Sequence, residues 1–113
     1  MNIQIYWHKR NFDTQKAERY LKERRIPYQL VDLSKHRLGK REVELFVRGL
    51  SARGMLDLTD TKVKSHPVAY TDSTRSIIDY VLDNPRLLRS PIIRCDNKVM
   101  AGFDEAELRE LLG

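Results

Sequence analysis

The sequence predicts an α/β fold, with a central mixed four-stranded sheet, flanking helices and a helical insertion, and three observations carry that prediction. The first is a change of apolar period near the N-terminus. Met1 to Tyr6 alternates Ile3 and Ile5 against Asn2 and Gln4, the period of a half-buried strand. From Phe12 the apolar residues are Phe12, Ala17, Tyr20 and Leu21, separated by Lys16, Glu18, Arg19, Lys22 and Glu23, the period of a helix with one buried stripe. The second is an apolar run after Ile26-Pro27, which completes a β-α-β unit within roughly thirty-five residues. The third is a C-terminal pair of short apolar runs around Asp96-Asn97, followed by a last amphipathic helix.

The junction of the first strand and helix, Asn11-Phe12-Asp13-Thr14-Gln15-Lys16-Ala17, organises the rest. The first turn of a helix has unpaired N–H groups and the positive end of the dipole, so this turn suits an anion or a nucleophile. Asn11 suits the N-cap, where its side-chain oxygen accepts from first-turn amides for roughly 1 kcal/mol. Ile26-Pro27 stops the helical period, and Tyr28, Leu30, Val31 and Leu33 read as a second strand. A right-handed crossover makes these two strands parallel.

Ser34 to Gly39 reads as a polar connection with His36 in solvent. Lys40 to Leu50 forms a helix burying Val43, Leu45, Phe46, Val47 and Leu50, and Gly49 and Gly54 predict that helical structure here is short or interrupted. Met55, Leu56 and Leu58 precede a polar segment, Thr59 to Ser65, and His66-Pro67 leaves the helical region. Val68 to Thr71 has no decisive pattern. Asp72-Ser73-Thr74 offers N-cap chemistry for a helix reaching about Asn84, with Ile77, Ile78, Val81 and Leu82 on one side. Pro85 ends it. Leu87 to Ile93 leads into a third strand, Asp96-Asn97 turns a hairpin, and Lys98 to Ala101 is the fourth strand. Gly102-Phe103-Asp104 opens the last helix, with Leu108, Leu111 and Leu112 as its buried side.

With 113 residues, the chain fits one domain, residues 1–113, with one core. A composition of 33% charged and 41% hydrophobic residues excludes both a disordered chain and a membrane protein. No apolar run approaches the ~20 residues of a bilayer span and no secretory leader is visible, so the expected location is the cytoplasm. Cys95 is the single cysteine, which excludes an intramolecular disulfide and a multi-cysteine metal site. Neither a metal nor a cofactor is expected. The net charge of +5 favours encounter with anions or acidic proteins, but without a recognition motif or stacking array direct nucleic-acid binding is not the expectation. Lys22, Arg24 and Arg25 at the end of the first helix suit the negative end of its dipole.

The spacing of Ile5-Tyr6 from Phe12-Asp13-Thr14-Gln15-Lys16-Ala17 resembles the opening of the ArsC/Spx family, the arsenate-reductase-like branch of the thioredoxin/glutaredoxin fold. A second anchor, Asn84-Pro85, Leu87-Leu88 and Ser90-Pro91-Ile92-Ile93, followed by Gly102-Phe103, is similar to the family's segment before and after its hairpin, so the resemblance spans nearly the whole chain. It implies a thioredoxin-like, ArsC-type architecture and a cis Ser90-Pro91 bond facing the first-helix turn. Backbone groups there would be free to pair with an extended ligand such as a peptide or glutathione. It also implies that Asn11 stands where the family carries its nucleophilic cysteine.

An amide cannot become the thiolate that a helix N-terminus stabilises. The resemblance further places oxyanion-holding arginines at the residue before the proline, in the central insertion and after the hairpin. Here those positions are Ser90, with Arg89 one residue away, the region Leu58 to Asp60, and Ala101-Gly102. Spx-type regulators carry a Cys-x-x-Cys switch at this turn, and the corresponding residues are Asn11 and Thr14.

The expected function is therefore a redox-inactive binding or regulatory member of the family. Its ligand site would comprise His8, Lys9, Arg10, Asn11, Phe12, Thr14, Ser90 and Pro91, with no catalytic residue, and would take a small anion, glutathione or a protein partner. Two other readings stay open: a glutathione- or glutaredoxin-linked oxidoreductase of arsenate-reductase type using Cys95 or a partner thiol, and an Spx-like transcription regulator. His8 suits an acid or base near its ordinary pKa of ~6.5, or an exposed loop position. Cys95 suits a buried structural thiol, opposed as a thiolate by Asp96. Asp13 would compete with a ligand for the first-turn amides, and the turn can equally be a satisfied helix end.

Overall fold

A computed structural model describes residues 1–113. The chain runs β1 (Ile3–Trp7), α1 (Phe12–Glu23), β2 (Gln29–Asp32), α2 (Lys40–Leu50), α3 (Thr61–Lys64), a 3-10 turn (Pro67–Tyr70), α4 (Thr74–Asp83), a second 3-10 turn (Pro85–Leu87), β3 (Ile92–Cys95), β4 (Lys98–Ala101) and α5 (Glu105–Leu112). The sheet order is β2-β1-β3-β4. β1 and β2 are parallel, while β1 with β3 and β3 with β4 are antiparallel, so the sheet is mixed as expected.

Strand alternation divides the core between the two faces of the sheet. Ile3, Ile5, Ile93, Cys95 and Met100 pack with Ala17, Tyr20 and Leu21 of α1 and Leu108 of α5. Tyr6, Ile92 and Val99 face the other way, onto Val43, Leu45 and Phe46 of α2, Ile77, Ile78 and Val81 of α4, and the insertion residues Met55, Leu56, Val63 and Val68. The Met55–Asp57 segment lies beside Leu87–Arg89: the Asp57 amide donates to the Leu87 carbonyl at 3.0 Å and the Arg89 amide to the Met55 carbonyl at 2.9 Å. That pairing brings the insertion against the loop preceding β3. No helix is long and apolar enough to cross a membrane.

Several sequence expectations shift. Phe12 does not join the buried stripe; it is 78% exposed. The inward positions of α1 are Thr14, Ala17, Glu18, Tyr20 and Leu21, and Phe12 lies two residues, about 200° of helix rotation, from Thr14. Gly49 does not interrupt α2, which continues to Leu50; a Cβ there would stand 2.2 Å from Val99 Cγ2, so the residue is small because α2 presses on β4. The polar Thr59 to Ser65 segment contains α3, capped by Asp60, whose Oδ1 accepts from the Lys62 and Val63 amides. Val68 to Thr71 is mostly a 3-10 turn, and the third strand begins only at Ile92. His36 is exposed but not merely solvated: its Nε2 lies 3.1 Å from Glu42 Oε1.

Candidate functional site

The turn between β1 and α1 faces the Ser90-Pro91 loop, and the Ser90-Pro91 bond is cis. Asn11 is the N-cap of α1, as its residue type dictates: Oδ1 accepts from the Thr14 amide at 2.9 Å and from the Thr14 hydroxyl at 2.9 Å. The same side chain's Nδ2 donates to the Ser90 carbonyl at 2.8 Å. Ser90 completes a reciprocal arrangement, its Oγ accepting from the His8 amide at 3.2 Å and donating to the Lys9 carbonyl at 2.9 Å. Strand end, helix start and proline loop thus form one hydrogen-bonded unit.

This unit uses up several groups expected to face a ligand. The Thr14 side chain is fully buried and its hydroxyl is spent on Asn11. The Ser90 hydroxyl and carbonyl are both occupied, so the loop carbonyl expected to pair with an extended ligand already has a partner. His8 Nε2 lies 2.6 Å from the Leu88 carbonyl, which makes that nitrogen a donor and removes it as a base. Arg10 turns away from the turn: its guanidinium bonds Glu18 and lies over the Trp7 ring, 5.4 Å from the centroid. The Glu18 carboxylate, buried in α1, also accepts from the Tyr28 hydroxyl at 2.9 Å. Tyr28 is pushed up to about 12 by burial and by that neighbouring carboxylate.

A cleft of about 540 Å³ remains in front of the turn. Asn11, Ser90 and Gly102 line it, with the cations Lys9, Arg53 and Arg89 and the carboxylates of Asp13 and Asp57 around them. The amides of Phe12 and Asp13 carry no partner within the chain, because Asn11 caps Thr14 and the Gln15 amide returns to the Asn11 carbonyl. Asp13 does not compete for these amides; it lines the cleft. Gly102 closes the floor at φ +75, and a Cβ there would meet Arg89 Nη2 at 3.1 Å and Asp13 Oδ2 at 3.4 Å. Of the expected residues, the structure gathers Lys9, Asn11 and Ser90 at the cleft, with exposed Phe12 beside it, Pro91 buried behind it, and Arg10 and Thr14 directed elsewhere.

Arg53 and Asp57 were not singled out by the sequence because they reach the cleft through the Met55–Asp57 to Leu87–Arg89 pairing, which no local spacing announces, whereas Leu58 lines it within the insertion region that the resemblance pointed to. Cys95 stands at the far end of the sheet. It pairs with Ile3, whereas the cleft lies beyond Trp7, a strand length of about 13 Å away. Its thiol is buried and is pushed up by that burial and by Asp96.

A family model described as "ArsC family" matches residues 6–111. The chain is 28% identical over 101 residues to a Staphylococcus epidermidis protein named "Global transcriptional regulator Spx", covering 86% of this chain and 76% of that protein. Among solved structures it is similar to an arsenate reductase from Vibrio cholerae, with TM-score 0.83 at 16% identity over 98% of both chains. It is also similar to an arsenate reductase (ArsC) related protein from Brucella melitensis, with TM-score 0.72 at 24% identity, covering 99% of this chain and 95% of that one. Those two likenesses carry the fold, the mixed four-stranded sheet with its flanking helices, and the matched model carries the family: the chain belongs to the ArsC family.

Proposed function

We propose that the chain is a binding or regulatory member of the family that works without a catalytic thiol, holding a thiol peptide such as glutathione or an extended segment of a partner protein in the cleft at the Asn11 turn. The observation that carries this reading is the double engagement of the Asn11 carboxamide, to Thr14 within α1 and to the Ser90 carbonyl across the cleft. The position that the resemblance gives to a nucleophile is a structural tie in this chain, while the two free first-turn amides and Lys9, Arg53 and Arg89 remain available to a carboxylate.

The oxidoreductase reading would need Cys95 to reach this cleft, and its burial at the opposite sheet end argues against that. A transcription regulator of Spx type is a second reading, favoured by the relatives' printed name and by Phe12, an aromatic side chain 78% exposed in the first turn of α1. A titration with glutathione followed by amide NMR tests the first reading. It expects shifts of the Asn11–Asp13, Arg89 and Gly102 amides with no glutathione-coupled arsenate reduction. Turnover, or a spectrum unmoved by glutathione and by extended peptides alike, contradicts it.

A further inference from the structure

We propose that a second hollow, which shares Lys9 with the Asn11 cleft, takes the carboxylates of an acidic peptide segment, so that the partner held at this face carries consecutive Asp or Glu side chains. The proposal rests on the reading of the Asn11 cleft as a binding site for an extended segment. The hollow measures about 480 Å³ and lies between the start of α3 and the Pro85–Leu87 turn.

Most of its polar wall is made of donors, beside the apolar Val63 and Leu87. Lys62 and Arg86 are exposed and form no ion pair within the chain, and Lys9 reaches Asp57 only at 4.0 Å. His66 Nδ1 accepts from the Val68 amide at 3.0 Å, so in the neutral ring the proton is on Nε2, which has no partner. The ring is held edge-on against Tyr80 at 5.0 Å. Asn84 Oδ1 accepts from the Arg86 amide at 3.2 Å, leaving its NH₂ group to donate. The single carboxylate in the wall, Asp60, is already met by the Val63 and Lys62 amides, which hold it below the usual carboxylate range. Three cations, an imidazole N–H and a carboxamide NH₂ therefore surround space with one satisfied anion among them.

An acidic peptide fits this arrangement better than a nucleic acid. Asp13 and Asp57 in the adjoining cleft would repel a regularly spaced phosphate chain, and no row of aromatic side chains offers stacking. A peptide can place neutral residues opposite those carboxylates and its acidic residues over Lys62 and Arg86. Lys9, standing between the two hollows, serves both.

The test uses the whole chain and two labelled peptides of one extended sequence, one with three consecutive glutamates and the other with glutamines in their place. The glutamate peptide is expected to bind about tenfold more tightly, to shift the amides of both Asn11 and Lys62, and to lose that margin in Lys62→Ala/Arg86→Ala and in high salt. Lys62→Glu/Arg86→Glu, also at exposed positions, should reverse the preference. Both peptides shifting the Asn11 turn with equal affinity would overturn the acidic preference while sparing the cleft. Neither shifting that turn would overturn this proposal, and a turn unmoved by glutathione as well would remove the cleft reading with it. An oligonucleotide displacing the glutamate peptide through Lys62 and Arg86 at lower concentration would overturn the assignment to a peptide.

Discussion

The Asn11 side chain donates to the Ser90 carbonyl at 2.8 Å while its oxygen accepts from the Thr14 amide at 2.9 Å. One carboxamide therefore starts α1 and fixes the proline loop against it. Asn11→Ala removes a cap worth about 1 kcal/mol and a cross-loop hydrogen bond of similar worth, so urea unfolding should show a loss of about 2 kcal/mol. Asn11→Ser restores the cap alone and should recover about half. Full recovery in Asn11→Ser would show that the bond to Ser90 contributes nothing, and equal losses for the two variants that the cap does not.

Arg10 is held by Glu18 rather than presented to a ligand. Arg10→Ala leaves the buried Glu18 carboxylate with only the Tyr28 hydroxyl. The expected cost is about 2 kcal/mol in denaturant unfolding, below that of a fully buried pair because the Arg10 side chain is 45% exposed. Glu18→Gln in the Arg10→Ala background should return part of it, since no charge is then stranded. Anion binding at the cleft should be unchanged by Arg10→Ala, which a direct titration reads.

The contact of α2 with β4 has its own signature. Gly49→Ala gains helix propensity but drives a methyl group against Val99, and packing strain of about 1–3 kcal/mol should outweigh the gain. In a Val99→Ala background the same change should be neutral or stabilising. A double-mutant cycle with additive effects would refute the contact.

How much of this was legible in the sequence depends on whether the signal is local. The strand-to-helix switch at Phe12, the caps at Asn11 and Ser73 and the Asp96-Asn97 turn are local, and each is found where the residues imply. Phe12 misled because the inward stripe of α1 includes the polar Thr14 and Glu18, which no apolar count registers. Their burial is satisfied by Asn11, Arg10 and Tyr28, partners visible only after folding. Arg53 and Asp57 were hidden for the same reason, since the cleft is closed by pairing between segments about thirty residues apart in sequence.

Alkaline titration should expose the buried phenol of β1. Burial, opposed by a hydrogen bond from Arg94 and reinforced by the Glu42 carboxylate, pushes Tyr6 up to about 12. The folded value lies above the unfolded one near ~10. Its stabilisation is therefore complete below pH ~10 and is lost between pH ~10 and ~12, by roughly 2–3 kcal/mol. Tyr6→Phe should flatten that part of the pH–stability curve, measured by urea unfolding at a series of alkaline pH values. An unchanged slope would show that Tyr6 is not the group responsible.

The central claim is that this family member binds without using a thiol, and Cys95→Ser tests it most directly. Glutathione binding and glutathione- or glutaredoxin-coupled arsenate reduction should be measured in parallel on the native chain and this variant. The account predicts the same glutathione affinity for both and no turnover by either. Turnover by the native chain that disappears in Cys95→Ser would contradict it and make the buried thiol the reacting group.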